Sequence, residues 1–156
     1  MLSRILVPKI SRQHSAIELH VKCMEVASVK MKLFWHMSFE RFEPCCETSL
    51  VNRDGIDLLA CLLLDDGGCG LETTLKWIDE GLSRTDDAIS AQTESLCWDR
   101  ETWGAMISLG GVEIYSLLDE NVCMDLDLKS FQTALSEWKK FIMSEPKAQG
   151  TKHIAM

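Results

Sequence analysis

The sequence predicts an α+β fold: an antiparallel meander of three to five strands, with an αα-hairpin and a C-terminal helix packed on the sheet. Three observations predict it. Residues 103–127 alternate apolar and polar side chains between short turns, the pattern of half-buried antiparallel strands. Residues 131–142 repeat bulky apolar side chains every three or four positions, the pattern of a helix with one buried face. Two shorter stretches of helical spacing lie on either side of the glycine-rich run Asp65-Asp66-Gly67-Gly68-Cys69-Gly70.

The elements follow in chain order. Met31 to Phe39 reads as a strand, with Leu33, Trp35, Met37 and Phe39 on one face and Phe34, His36 and Ser38 on the other. Glu40 to Asn52 reads as irregular, with Pro44 as a break. A helix capped by Asn52 or Asp54 runs to about Asp65 on a stripe of Ile56, Leu59, Leu62 and Leu63. A second runs from about Leu71 to Leu82 on Leu71, Leu75, Ile78 and Leu82, with Trp77 flanking. Ser83 to Gln92 reads as a polar loop and Thr93 to Trp98 as a strand.

The strand carrying Trp103, Ala105, Ile107 and Leu109 turns at Gly110-Gly111 into Val112, Ile114 and Ser116. A turn at Asp119-Glu120-Asn121 leads to Val122, Met124 and Leu126. Asp127 or Ser130 caps the last helix, with Phe131, Leu135, Trp138 and Ile142 as its stripe, widened by Ala134 and Phe141.

These elements place one α+β domain over residues 31–144. Residues 1–30 read as a basic N-terminal extension that the domain does not need. It is either disordered, a short amphipathic helix over 15–29, a transit-like segment, or a stretch upstream of a start at Met24 or Met31. Residues 145–156 read as a flexible tail.

Charge and cysteine usage narrow the functional classes. Residues 1–32 hold six Lys/Arg and two Asp/Glu, whereas residues 33–156 hold ten and twenty-two. A body this acidic repels phosphate backbones, which disfavours nucleic acid, and attracts a basic partner. Solubility alone would also account for it. Seven cysteines with no secretory pattern predict reduced thiols and a cytoplasmic protein. The longest apolar block, Leu58 to Leu64, is too short to span a membrane, so no membrane partner is expected.

No constellation for catalysis, metal or cofactor stands out. The chain has neither Cys-x-x-Cys nor His-Glu-x-x-His, and His36 with Cys45 and Cys46 matches no ligand spacing. The Gly67–Gly70 cluster lacks the lysine and hydroxyl of a phosphate loop. The pairs Asp65-Asp66, Asp86-Asp87 and Asp119-Glu120 read as caps and solvated turns. What remains is aromatic: Trp98 and Trp103 bracket a charged turn, where they belong either to the core rim or to an exposed binding patch.

The stretch from Gly111 to Ile142 resembles small bacterial immunity proteins of contact-dependent or polymorphic toxin systems. The residues that carry the likeness are Gly111-Val112-Glu113-Ile114-Tyr115, Asp125-Leu126-Asp127-Leu128 and the stripe Phe131, Leu135, Trp138 and Phe141. The resemblance implies a non-enzymatic inhibitor that binds a cognate toxin domain, often a basic nuclease, and covers its active site. The residues expected to make that contact are Trp98, Trp103 and Tyr115, with Asp65, Asp66, Asp99, Asp119 and Glu120. Two other classes stay open. A small enzyme would join His36 or a cysteine to an acidic pair in a pocket, and an adaptor would dimerise through an apolar patch or sheet edge.

Overall fold

A computed structural model describes residues 28–91, 95–146 and 150–156. The fold is α+β, with seven strands in two antiparallel sheets and three helices among the described residues. The elements are β1 (Lys30–Ser38), β2 (Arg41–Thr48), α1 (Leu58–Leu64), α2 (Leu71–Ala91), β3 (Leu96–Asp99), β4 (Trp103–Ser108), β5 (Gly111–Ser116), β6 (Cys123–Leu126), α3 (Leu128–Ile142) and β7 (Thr151–Ala155). One sheet has the order β2-β1-β7 and the other is the meander β3-β4-β5-β6. Helices α1 and α3 touch both sheets, so the two sheets share one core.

The meander forms where alternation placed it. Trp98, Ala105 and Ile114 lie in register on its covered face, as do Ile107, Val112 and Leu126. The hairpin turn is Leu109-Gly110 rather than Gly110-Gly111, because Gly111 already pairs with Ser108 in β5. Asp127 caps α3 by accepting from the Ser130 amide at 2.8 Å, and the whole expected stripe from Phe131 to Ile142 is buried.

Four expectations are corrected. Residues 41–48 are not irregular: they form β2, at the edge of its sheet, where the N–H that Pro44 lacks does not interrupt a central ladder. The first helix starts at Leu58, not after Asn52 or Asp54. Asn52 instead closes a turn by accepting from the amides of Asp54 and Ile56, with Gly55 at φ 80°. Asp57 takes the cap, accepting from Ala60 N at 3.0 Å and reaching back to the Thr48 amide and hydroxyl at 2.5 and 2.6 Å.

The second helix does not stop at Leu82. It continues to Ala91 because its buried face is carried on by small residues, Gly81, Thr85 and Ala88. Nor is all of 145–156 a loose tail: Thr151–Ala155 pairs along β1, and the Met156 amide donates to Val29 O at 2.9 Å. Val29 is itself buried, so the folded body begins before Met31. The expectations for residues 1–27 lie outside the described residues.

Contacts fix the direction of each element. The β4–β5 turn, the start of α3 and the C-terminal end of α2 lie at one end of the meander; the β3–β4 and β5–β6 connections lie at the other. Helices α2 and α3 run antiparallel, with Gln132 beside Asp86 and Lys139 beside Asp79. Strand β1 runs with α3: Ser28 lines a depression with Asp127 and Ser130, and Trp35 stacks on Phe141 at 5.1 Å. Its hairpin with β2 therefore turns back beyond the C-terminal end of α3.

Candidate protein-binding surface

Three loops meet at the second of those ends. Asp65, after α1, accepts from the amides of Thr102 and Trp103 at 2.8 and 3.0 Å through Oδ2. Arg100 returns the link by donating to the carbonyls of Asp65 and Asp66, at 3.2 and 2.7 Å. Leu117 N donates to Thr102 O at 2.8 Å, which brings in the β5–β6 loop. Asp119 shapes that loop by accepting from the amide of Asn121 at 3.0 Å.

Gly67, at φ 58°, lies so close to Glu101 that an added Cβ would stand 2.8 Å from its Cγ. The α1–α2 connection thus needs glycine both for its backbone and for its neighbour.

Of the residues expected to bind, the structure gathers seven around this end and removes one from solvent. Trp98 is the correction. Its side chain points to the core, stacked on Trp77 with ring centroids 3.8 Å apart, and its Nε1 donates to Trp77 O at 3.1 Å. An alternating strand puts Trp98 on the same face as Ala105, so it is unavailable to a partner. Trp103 is half-buried and leans on the core. Asp65 is half-buried, with its carboxylate spent on backbone amides.

Asp99 and Tyr115 lie on the outer face of the meander, where the tyrosine hydroxyl donates to Asp99 Oδ1 at 2.6 Å across Gly104. An added Cβ on Gly104 would fall 2.2 Å from that carboxylate oxygen and 2.7 Å from Tyr115 Cε2. Partial burial, and then the bond to Asp99, push the phenol pKa well above its ordinary value. Asp66, Asp119 and Glu120 are exposed.

Sequence reasoning missed Leu117 and Leu118. Glu101 is exposed between the two bracketing tryptophans, and Leu118 is 80% exposed directly before the acidic turn. An apolar pair placed next to Asp119-Glu120 was the available signal.

The result is a surface with Asp66, Glu101, Asp119 and Glu120 in adjoining loops and Asp99 at the end of β3, none of them in an ion pair among the described residues. The guanidinium of Arg100 is turned inward over Trp77 at 4.9 Å, while exposed Arg53 lines a depression with Asn121 and Cys123 beside the β5–β6 loop. Elsewhere Glu47, Glu72, Asp79, Glu80 and Glu137 are each paired with a lysine or arginine, whereas Glu40, Glu43, Asp54, Asp86 and Asp87 are in no ion pair among the described residues. Glu113 and Asp125 extend the negative field along the outer face of the meander.

The chemistry of the remaining groups is quiet. Burial, followed by neighbouring carboxylates, raises the thiol pKa values of Cys45, Cys46 and Cys61, which keeps them protonated and poorly nucleophilic. Among the described residues no three His, Cys, Asp or Glu side chains converge as metal ligands. A depression of about 460 Å³ at the start of β1 is lined by Lys30, Met31, Lys32, Glu47, His153 and Ile154, away from the acidic loops. No described helix is long and apolar enough to cross a membrane. Compared with protein-family models, with curated proteins and with solved structures, the chain matches none.

Proposed function

We propose that this chain is an immunity protein that binds and neutralises a cognate toxin domain, a basic nuclease, by covering its active site in the bacterial cytoplasm. The observation that supports the reading is the convergence of unpaired acids from the α1–α2, β3–β4 and β5–β6 connections on one end of the fold. Side chains so placed imitate the charge of a phosphate backbone, and their long-range field speeds the encounter with a positively charged cleft. Charge alone need not supply affinity, because desolvation cancels much of it. Tyr115 and the rim of Trp103 offer aromatic area at the same end.

The test is co-expression with the toxin domain encoded beside this chain, scored by cell survival. The reading expects rescue by the wild-type chain. It also expects Asp119→Lys/Glu120→Lys to slow association and to flatten its dependence on salt, in stopped-flow measurements at several ionic strengths. Association that is equally fast and equally salt-dependent in the charge-reversed variant would defeat the electrostatic mechanism.

A further inference from the structure

The turn between β1 and β2 is built from residues that do not suit it. Ser38 pairs with Arg41, so only Phe39 and Glu40 make the connection. Both are left-handed, with φ 46° and 64°. A two-residue hairpin of this hand wants Asn-Gly, because a Cβ is crowded at positive φ. The other described residues with positive φ are all glycines, so Phe39 and Glu40 are the two exceptions.

Phe39 gains nothing visible in return. Its side chain is 98% exposed, and it makes no contact with any other ring. Met37, two residues earlier in β1, is 58% exposed. Alternation set both beside Leu33 and Trp35, which are buried. The hairpin outruns α3, however, and the stripe leaves the core after Trp35. A strained turn that holds an aromatic ring in water makes sense for contact with something else.

The surroundings say what kind of surface would receive it. The hairpin turns beyond the end of α3, where Met143 is exposed, at the end of the fold that also carries Leu117, Leu118 and the unpaired acids. At the tip itself the charge of Glu40 is offset by exposed Arg41, so the negative charge at this end lies in the acidic loops. Anionic lipid headgroups are repelled by such a rim, whereas a basic protein is attracted.

The geometry points to Phe39, supported by Met37, as the apolar anchor of a protein-docking surface. Its partner is a protein that presents an apolar socket ringed by lysine and arginine. This deepens the proposed function and rests on it for the sign of the partner's charge. Burying one exposed ring in a socket is how a few aromatic residues dominate an interface.

Two measurements on the full chain test it. The first needs no partner. Replacing Phe39-Glu40 by Asn-Gly is expected to raise the denaturation midpoint with an unchanged circular dichroism spectrum. A lowered midpoint would show that Phe39 serves the fold, and would overturn the proposal. In the second, a photoreactive benzophenone side chain is placed at position 39, or at Leu109 at the opposite end as reference, and irradiated in the cells that make the protein.

A discrete protein adduct from position 39 alone is expected. That protein, once purified, should bind Phe39→Ala at least about tenfold more weakly than wild type, and Phe39→Trp nearly as well. No adduct, equal adducts from both positions, an adduct to lipid, or an unchanged affinity of Phe39→Ala each overturns the anchor. A captured partner that is not a toxin, yet loses affinity with Phe39→Ala, leaves the anchor standing and removes the immunity reading. A toxin bound equally well by Phe39→Ala does the reverse.

Discussion

Substituting Gly81 by alanine tests whether Trp98 is a core residue held against a helix backbone. Gly81 lies inside α2 and faces inward, and a Cβ built there would stand 2.7 Å from both Cε2 and Cζ2 of Trp98 and 3.2 Å from Leu135 Cδ1. Alanine in a helix interior gains about 1 kcal/mol over glycine, so propensity alone predicts a stabilised protein. Crowding opposes it. Trp98 cannot slide freely, because Trp77 stacks on it at 3.8 Å and Phe131 meets it edge-on at 6.0 Å. Overpacking of this kind costs about 1–3 kcal/mol. If the indole moves far enough to release its bond to Trp77 O, a buried donor is stranded at about 1–3 kcal/mol more. The expected balance is a net loss of about 2 kcal/mol.

Urea denaturation followed by far-ultraviolet circular dichroism reads this as a midpoint about 1 M lower with the slope unchanged. Ser83→Ala, on the exposed side of the same helix, isolates propensity and should be neutral to slightly stabilising. Gly81→Ala with a midpoint at or above wild type would refute the packing, and with it the reassignment of Trp98 from surface to core.

Three other expectations follow from the same geometry. Asp57→Ala removes a helix cap and two bonds to Thr48 together, and should cost about 2–4 kcal/mol in denaturant titration; a loss under about 1 kcal/mol would show those bonds to be incidental. Tyr115 is the only tyrosine, so its ionisation is read directly by ultraviolet absorbance. The phenol is raised by burial and by Asp99, so the stability it lends is whole below its ordinary pKa of about 10 and is lost as pH rises above that, where the unfolded chain releases its proton first. Gly104→Ala, which thrusts a methyl between Tyr115 and Asp99, should bring tyrosinate formation back to lower pH. Glu137 is held below the usual carboxylate range by Lys140 and then Lys152, so its contribution is present above about pH 4.3 and fades as pH falls through its folded pKa. Because Lys152 lies on β7, Glu137→Gln should speed hydrogen exchange at Thr151–Ala155 near neutral pH, and in wild type the same amides should exchange faster, relative to the intrinsic rate, at pH 3 than at pH 6.

Sequence patterns revealed the elements whose buried faces are made of large side chains. The stripe of α3 and the alternation of β4 and β5 need no tertiary knowledge, because burial of Phe131, Trp138, Ile107 and Ile114 is written as periodic bulk. The second half of α2 was hidden because Gly81, Thr85 and Ala88 pack by being small, and smallness has no hydrophobic period. Strands β2 and β7 were hidden because edges tolerate proline and polar residues, which locally read as loop.

The acidic loops were legible as composition, and their meeting was not. It depends on Asp65 and Arg100, which act across more than thirty residues of chain. Trp98 was misjudged for a related reason. Its neighbours in sequence are charged, but its face is decided by register with Ala105 and Ile114. Phe39 shows the converse, since alternation extended through residue 39 places it inside, whereas β1 ends at Ser38 and Phe39 falls in the exposed turn.

Strand β1 has neighbours of very different ancestry in the chain: β2 follows it after two residues, while β7 comes more than a hundred positions later. On a growing polypeptide the hairpin can close early, yet one flank of β1 stays a bare row of amides and carbonyls until residues 151–156 have been made. Lengthy separation of this kind slows the final closure and leaves a template for mispairing in the interval. Synthesis halted just short of Thr151 would yield a nearly complete body with a sticky seam, the species a cell would have to chaperone or destroy.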